Sequence, residues 1–335
     1  MRSRTAQLTA LVIAFATCVN AAPPQKHRAA KRAAPHQAKK PEPPPLPCGD
    51  YIGFQVLLDR QGFSPGEIDG KPGMNFSRAI TALQNARRTP ATGQPDCDAW
   101  HALGGDHAEP TIAAYTITDD DLKGPFEKEI PRELAKQASL PALGYRSPLE
   151  MIAERFHASP ALLKQLNEGA SFAAGHELRV PGVAAPFVGE AKPAANPLAD
   201  EATIQVTRAE SALRATRADG TIVFFAPVTT GSEHDPLPIG DWKVTGVQWH
   251  PVFHYNPNLF WDAKPQDARA DIKPGPNNPV GVVWIALTRE HYGLHGTPEP
   301  GNIGHTESHG CVRLTNWDAA HLAAIVKPGT PVLFR

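Results

Sequence analysis

With 35 prolines and 27 glycines among its 335 residues, the chain is built of short pieces. Their share is about a fifth, below the roughly 25–30% typical of low-complexity chains. That predicts compact domains joined by stiff, proline-containing connections. At roughly 100–200 residues per domain, there is room for two or three. Lys plus Arg is 33 and Asp plus Glu is 34, a formal charge of −1, so no basic excess points to nucleic acid. Hydrophobic residues make up 41%, enough for ordinary cores and too few for a polytopic membrane protein.

The first 22 residues read as a signal peptide. Arg2 and Arg4 precede an apolar run from Leu8 to Ala16, and Val19-Asn20-Ala21 offers a cleavage exit. The run is too short to span a bilayer as a mature helix. An uncleaved anchor and a lipidated Cys18 are the alternatives. Residues 23–47 are mostly Pro, Ala, Lys and Arg, with Glu42 as the single acid. Fixed φ angles and like charges predict an extended, disordered tether. The destination is the periplasm or cell wall, with no stable membrane span in the mature protein.

Residues 48–104 read as a small three-helix domain. Helices are expected over 52–61 and 75–88, where Phe76, Ala79, Ile80 and Leu83 fall at helical spacing, with a short third over 96–103. Cys48 and Cys97 lie at its ends; in an oxidising compartment they form a disulfide, and otherwise they are buried thiols. G-F-S-P-G-E-I-D-G followed by A-I-T-A-L-Q resembles a peptidoglycan-binding domain, with Leu83 where an aromatic is usual. The resemblance implies contact with glycan or stem peptide.

Residues 115–182 form the next block. S-P-L-E at Ser147–Glu150 is a capping box with proline at the first helical position. Ser159-Pro160 opens a second helix, and E-L-R-V-P-G at Glu177–Gly182 reads as a strand. Helix, helix, strand resembles a LysM carbohydrate-binding module, with Tyr115-Thr116-Ile117 as its first strand and an insertion over 118–145. Residues 183–201 read as a linker.

From Ala202 the pattern turns to short strands. Segments 213–217 and 221–228 flank Asp219-Gly220, a hairpin signal. Strands are also expected over 242–249, 280–287 and 332–334, with one helix opened by Thr315. Residues 202–335 thus read as a mostly-β domain, expected as a sandwich.

Cys311 is the sole cysteine of this region, in S-H-G-C-V-R-L. A thiol needs a base or a positive environment to act as a nucleophile. His295, 16 positions earlier in H-G-T, and His309 are both candidate bases. Gly310 leaves room for a substrate carbonyl and frees backbone N–H groups for an oxyanion. In an extended stretch Arg313 shares a face with Cys311, where it can lower the thiol pKa or hold a carboxylate. A zinc site built from His295, His309 and Cys311 lacks the usual ligand spacing.

The conjunction of P-I-G, Y-G-L-H-G-T, I-G and S-H-G-C-V-R-L in this order resembles the YkuD-like catalytic domain of L,D-transpeptidases. The resemblance implies a β-sandwich with Cys311 as nucleophile and His295 as general base. Ser308, His309 and Gly310 match the oxyanion loop. Gly296 stands where some members have a Ser whose carbonyl orients the histidine, and Arg313 where many have Arg. The implied reaction is acyl transfer on peptidoglycan tetrapeptide stems, expelling D-Ala and forming 3→3 crosslinks. With water or a protein as acceptor, the same nucleophile gives carboxypeptidase or anchoring activity; a non-catalytic wall-binding adaptor is the remaining alternative. No cofactor is called for, the partners are stem peptides and glycan, and the protein is expected to be a monomer. An aromatic cluster from Trp249 to Trp261 either covers the cleft or packs as a surface loop.

Overall fold

A computed structural model describes residues 43–187 and 202–335. The expected signal peptide, most of the expected tether and most of the expected linker lie outside these residues. Residues 43–335 fall in a single compact unit.

The N-terminal part contains α1 (Tyr51–Arg60), α2 (Met74–Arg87) and α3 (Cys97–Ala102). Asp50 and Asp96 cap α1 and α3, each carboxylate accepting an N–H three residues on. Cys48 and Cys97 are disulfide-bonded, with Cα atoms 5.2 Å apart. Such a bridge contributes about 2–4 kcal/mol. Phe54, Leu58, Ile80 and Leu83 form the core, which Ala212 and Phe225 of the C-terminal part complete.

Next come β1 (Ile112–Thr116), α4 (Leu134–Gln137), α5 (Pro148–Arg155), α6 (Pro160–Leu166) and β2 (Glu177–Pro181). Strands β1 and β2 pair antiparallel, so the order strand–helix–helix–strand is interrupted by the segment bearing α4. Ser147 and Ser159 cap α5 and α6. Val56 and Ile68 of the three-helix part belong to the same core as Ile152, Leu163 and Leu178.

The C-terminal part holds β3 (Thr203–Thr207), β4 (Ala212–Thr216), β5 (Ile222–Pro227), β6 (Gly240–Trp249), β7 (Phe253–Tyr255) and β8 (Ala270–Ile272). It continues with β9 (Val283–Leu287), β10 (Gly293–His295), β11 (Val312–Arg313), α7 (Asn316–Ile325) and β12 (Pro331–Phe334). The expected sandwich is instead one curled eight-stranded sheet, in the order β11-β10-β9-β6-β12-β3-β4-β5. Its edges meet where Thr229, just past β5, exchanges both backbone hydrogen bonds with Arg313 of β11, at 2.9 and 3.0 Å. Curling lets a single sheet enclose its own apolar face, so no second sheet is needed. Strands β7 and β8 form a separate hairpin.

Helix α7 is buried along most of its length. An all-round apolar helix needs cover on every side, and the two N-terminal parts supply some of it. Trp317 stacks on His157 with ring centroids 5.1 Å apart, and Ser64 Oγ lies 3.0 Å from Asp318. Asn316 donates to Glu154 at 2.9 Å. Phe187, in the expected linker, is buried in the core of the C-terminal part. The stiffly separated modules suggested by composition are, over the described residues, fused through shared cores.

The seam between the parts is rich in buried acids. Burial raises Glu154 to about 8, and Asp318 and Glu67 each to about 7. Their surroundings include Tyr145, Glu150, Asp59 and His157. The folded state holds these protons more tightly than the unfolded chain. The stabilisation from Glu154 is therefore full below its ordinary value of 4.5 and is lost as pH rises toward 8. The thermal midpoint should fall between about pH 6 and 9, and less steeply in Glu154→Gln. Equal slopes in calorimetry of the two proteins would show that Glu154 is already ionised at pH 6.

Candidate active site

Parallel pairing of β10 and β11 builds the site. His295 lies directly across from Arg313, and Leu294 across from Val312. Cys311, two positions before Arg313, opens onto the same face. The backbone of Gly293 hydrogen-bonds the thiol, and Cys311 Sγ is 3.6 Å from His291 O. Thiol and imidazole thus share a surface as diagonal neighbours without a mutual hydrogen bond.

His295 is buried and held from two sides. Its Nδ1 is 2.7 Å from Gly296 O, and Trp284 stacks on the ring at 5.4 Å. A carbonyl only accepts, so Nδ1 carries the proton and Nε2 remains a free base. A side chain at Gly296 would place its Cβ 2.1 Å from Asn316 Oδ1. Glycine therefore keeps the carbonyl contact while making room for Asn316.

Both groups are uncharged at neutral pH. Burial, aided by the nearby Arg313 charge, pushes His295 down to about 3. Burial pushes the Cys311 thiol up to about 11, against the lowering effects of the Gly293 bond and Arg313. The resting pair is thiol and imidazole, and the proton must move as the thiol attacks.

The loop before Cys311 is tied by Ser308, whose Oγ donates to Cys311 O at 2.6 Å and whose N–H donates to Thr230 O at 3.1 Å. Gly310 has φ +95°, and a Cβ there would meet the Tyr292 ring at 2.7 Å. Among the described residues no backbone carbonyl takes up the Gly310 or Cys311 N–H, leaving two donors for a developing oxyanion. His309 also lines the cleft that holds Cys311 and His295, but its Nε2 is engaged 2.9 Å from Asp262, and its ring meets Phe260 edge-on at 4.9 Å.

A cleft of about 740 Å³ opens over Cys311, His295 and Arg313, within the range of small-ligand pockets. Phe253, His254, Tyr255 and Phe260 line it, so that part of the aromatic cluster does cover the cleft. Trp249 packs against the sheet core, and Trp261 is exposed and stacks on His234. Sequence reasoning missed Trp284, Tyr292, Asn316 and the cleft wall at 132–135. Trp284 lies across from His295 in the β9–β10 register, a relation that pairing alone reveals. Among the described residues no group of three His, Cys, Asp or Glu is placed to hold a metal ion.

Residues 201–333 match the family model of the L,D-transpeptidase catalytic domain, YkuD. The Bacillus licheniformis protein YkuD, whose name assigns it as an L,D-transpeptidase, is 47% identical over 60 residues, 18% of this chain and 36% of that protein. The chain thus spans about a third of that relative's length. The Bacillus subtilis protein YqjB, named likewise, is 28% identical over 144 residues, 41% of this chain and 73% of that one. Among solved structures, an L,D-transpeptidase from Mycobacterium smegmatis aligns over 40% of this chain and 58% of its own, with 19% identity and a TM-score of 0.33. By the family match and these relatives, the C-terminal part of the chain, residues 201–333, is similar to the catalytic domain of L,D-transpeptidases (YkuD).

Proposed function

We infer that the protein is a peptidoglycan L,D-transpeptidase working through a Cys311 thioester. The observation that carries this is a neutral thiol and a neutral, carbonyl-anchored imidazole on one face of the β10–β11 pair, under a covered cleft. Cys311 attacks the carbonyl of the third stem residue as its proton passes to His295 Nε2. The S–C bond forms, the C–N bond to D-Ala breaks, and His295 returns the proton to the departing amine. An acceptor amine then attacks the thioester, His295 takes its proton, and the thiol is regenerated with a 3→3 crosslink formed. The Gly310 and Cys311 amides hold the oxyanion in both steps, and Arg313 binds a substrate carboxylate.

The helical and LysM-like parts hold the enzyme on the wall. Residues 1–22 direct secretion to the periplasm or cell wall. No helix among the described residues is long and apolar enough to cross a membrane.

Isolated peptidoglycan treated with the purified protein, then digested and weighed by mass spectrometry, should yield crosslinked dimers lacking one D-Ala. Tripeptide stems alone would assign a carboxypeptidase. A product profile identical to that of Cys311→Ala would overturn the reading.

A further inference from the structure

The segment that interrupts the second small module, residues 117–146, does not hang free. Leu143 is fully buried with Tyr255 and Ile272 of the β7–β8 hairpin, and Ile130, Leu134 and Leu140 pack against them. Leu143 N–H donates to Pro274 O at 3.1 Å, and Asn277 N–H donates back to Leu143 O at 3.0 Å. Asn277 also donates to Gly144 O and accepts from Arg146, both at 2.9 Å. These contacts fix the segment to the hairpin that covers the active site. As a result, Arg132, Glu133, Leu134 and Ala135 line the same cleft as Cys311 and His295.

The charges along this cleft divide sharply. Each carboxylate has a partner within the protein. Glu133 is paired with Lys136 at 3.2 Å, and Asp262 with His309 at 2.9 Å. Asp267 accepts from the Lys264 backbone N–H at 2.9 Å and from the Tyr255 hydroxyl. The cations are uncommitted. Among the described residues the side chains of Arg132, Lys264 and Arg313 have no hydrogen-bonded or ion-paired acid. Lys264 feels Glu133, and Arg313 feels Glu299, only at longer range. Arg313 sits beside the thiol; Arg132 and Lys264 belong to the segment and to the loop joining β7 to β8.

We propose that Arg132 and Lys264 form an anion subsite that takes a carboxylate of the peptide substrate away from the reacting carbonyl, so that the inserted segment sets substrate specificity. This rests on the peptidoglycan reading above. A stem peptide carries carboxylates besides the one at its end. A guanidinium and an ammonium with no internal partner can meet one by charge-assisted hydrogen bonds.

The test is equilibrium binding by calorimetry with the full mature chain carrying Cys311→Ala, so that no turnover intervenes. Two probes are compared: an acidic tetrapeptide stem, and the same stem with its internal carboxylates amidated. The acidic stem should bind about tenfold more tightly or better, the size of a charge-assisted hydrogen bond. Adding Arg132→Ala and Lys264→Ala together should bring that ratio to about one, and Arg132→Lys should preserve most of it. High salt should shrink the ratio in the parent. A parent ratio near one, or a ratio unmoved in a double variant with an unchanged melting midpoint, would overturn the proposal. Acylation by the wild type is followed separately by intact mass. Failure to acylate any stem while the binding ratio holds would sink the transpeptidase reading and leave the subsite standing.

Discussion

Cys311→Ala is expected to abolish every covalent adduct, whether formed with a tetrapeptide donor or with a carbapenem acting as an acyl mimic. Cys311 is the one free thiol among the described residues, since Cys48 and Cys97 are joined. It is partly open to the cleft and walled by protein elsewhere, so alanine leaves a small gap in a supported loop and the fold should persist by circular dichroism. Intact-protein mass after mixing reads the outcome directly. A stoichiometric adduct on the variant would place the nucleophile elsewhere.

His295→Ala should slow acylation by about 10²–10⁴-fold, the usual effect of removing a general base. The thiol is held near 11, so without a base the reactive thiolate is scarce at neutral pH. The variant's rate should therefore climb about tenfold per pH unit below that value. The wild type should stay nearly flat, because neutral imidazole is already present far above pH 3. His309→Ala should have a smaller effect, since its Nε2 is engaged with Asp262. Rapid, pH-insensitive acylation by His295→Ala beside slow acylation by His309→Ala would exchange the two assignments.

The parts of this molecule legible in the sequence are those written locally. Capping serines and aspartates lie where the helices begin, and Asp219-Gly220 lies between β4 and β5 as the turn chemistry requires. The candidate site was legible because His295 and Cys311 stand in short runs of unusual composition. Illegible were relations that cross the sheet or the seam. Trp284 gives no local sign of stacking on His295. Asn316 looks like an ordinary first residue of a helix, yet it ties Val282 and Glu154 together. The segment at 118–145 read as an interruption because its partners lie more than a hundred residues away, in β7 and β8. Composition alone suggested separated modules, because it records the stiffness of connections and is silent about which apolar faces are shared.

Strand β12 lies in mid-sheet, parallel to β3 and antiparallel to β6, with Val332 opposite Ile204 across 128 positions of chain. His295, Cys311 and Arg313 are all threaded between those partners. A ribosome or an export channel delivers a chain from its N-terminus, so β3, β4 and β5 emerge long before the strand that joins them to β6. Until then β3 and β6 each present an unpaired edge, the template on which two nascent copies can zip together. Closing so long a loop is slow. The interval is therefore a window in which a holding chaperone is useful and in which no working thiol–imidazole site has been assembled.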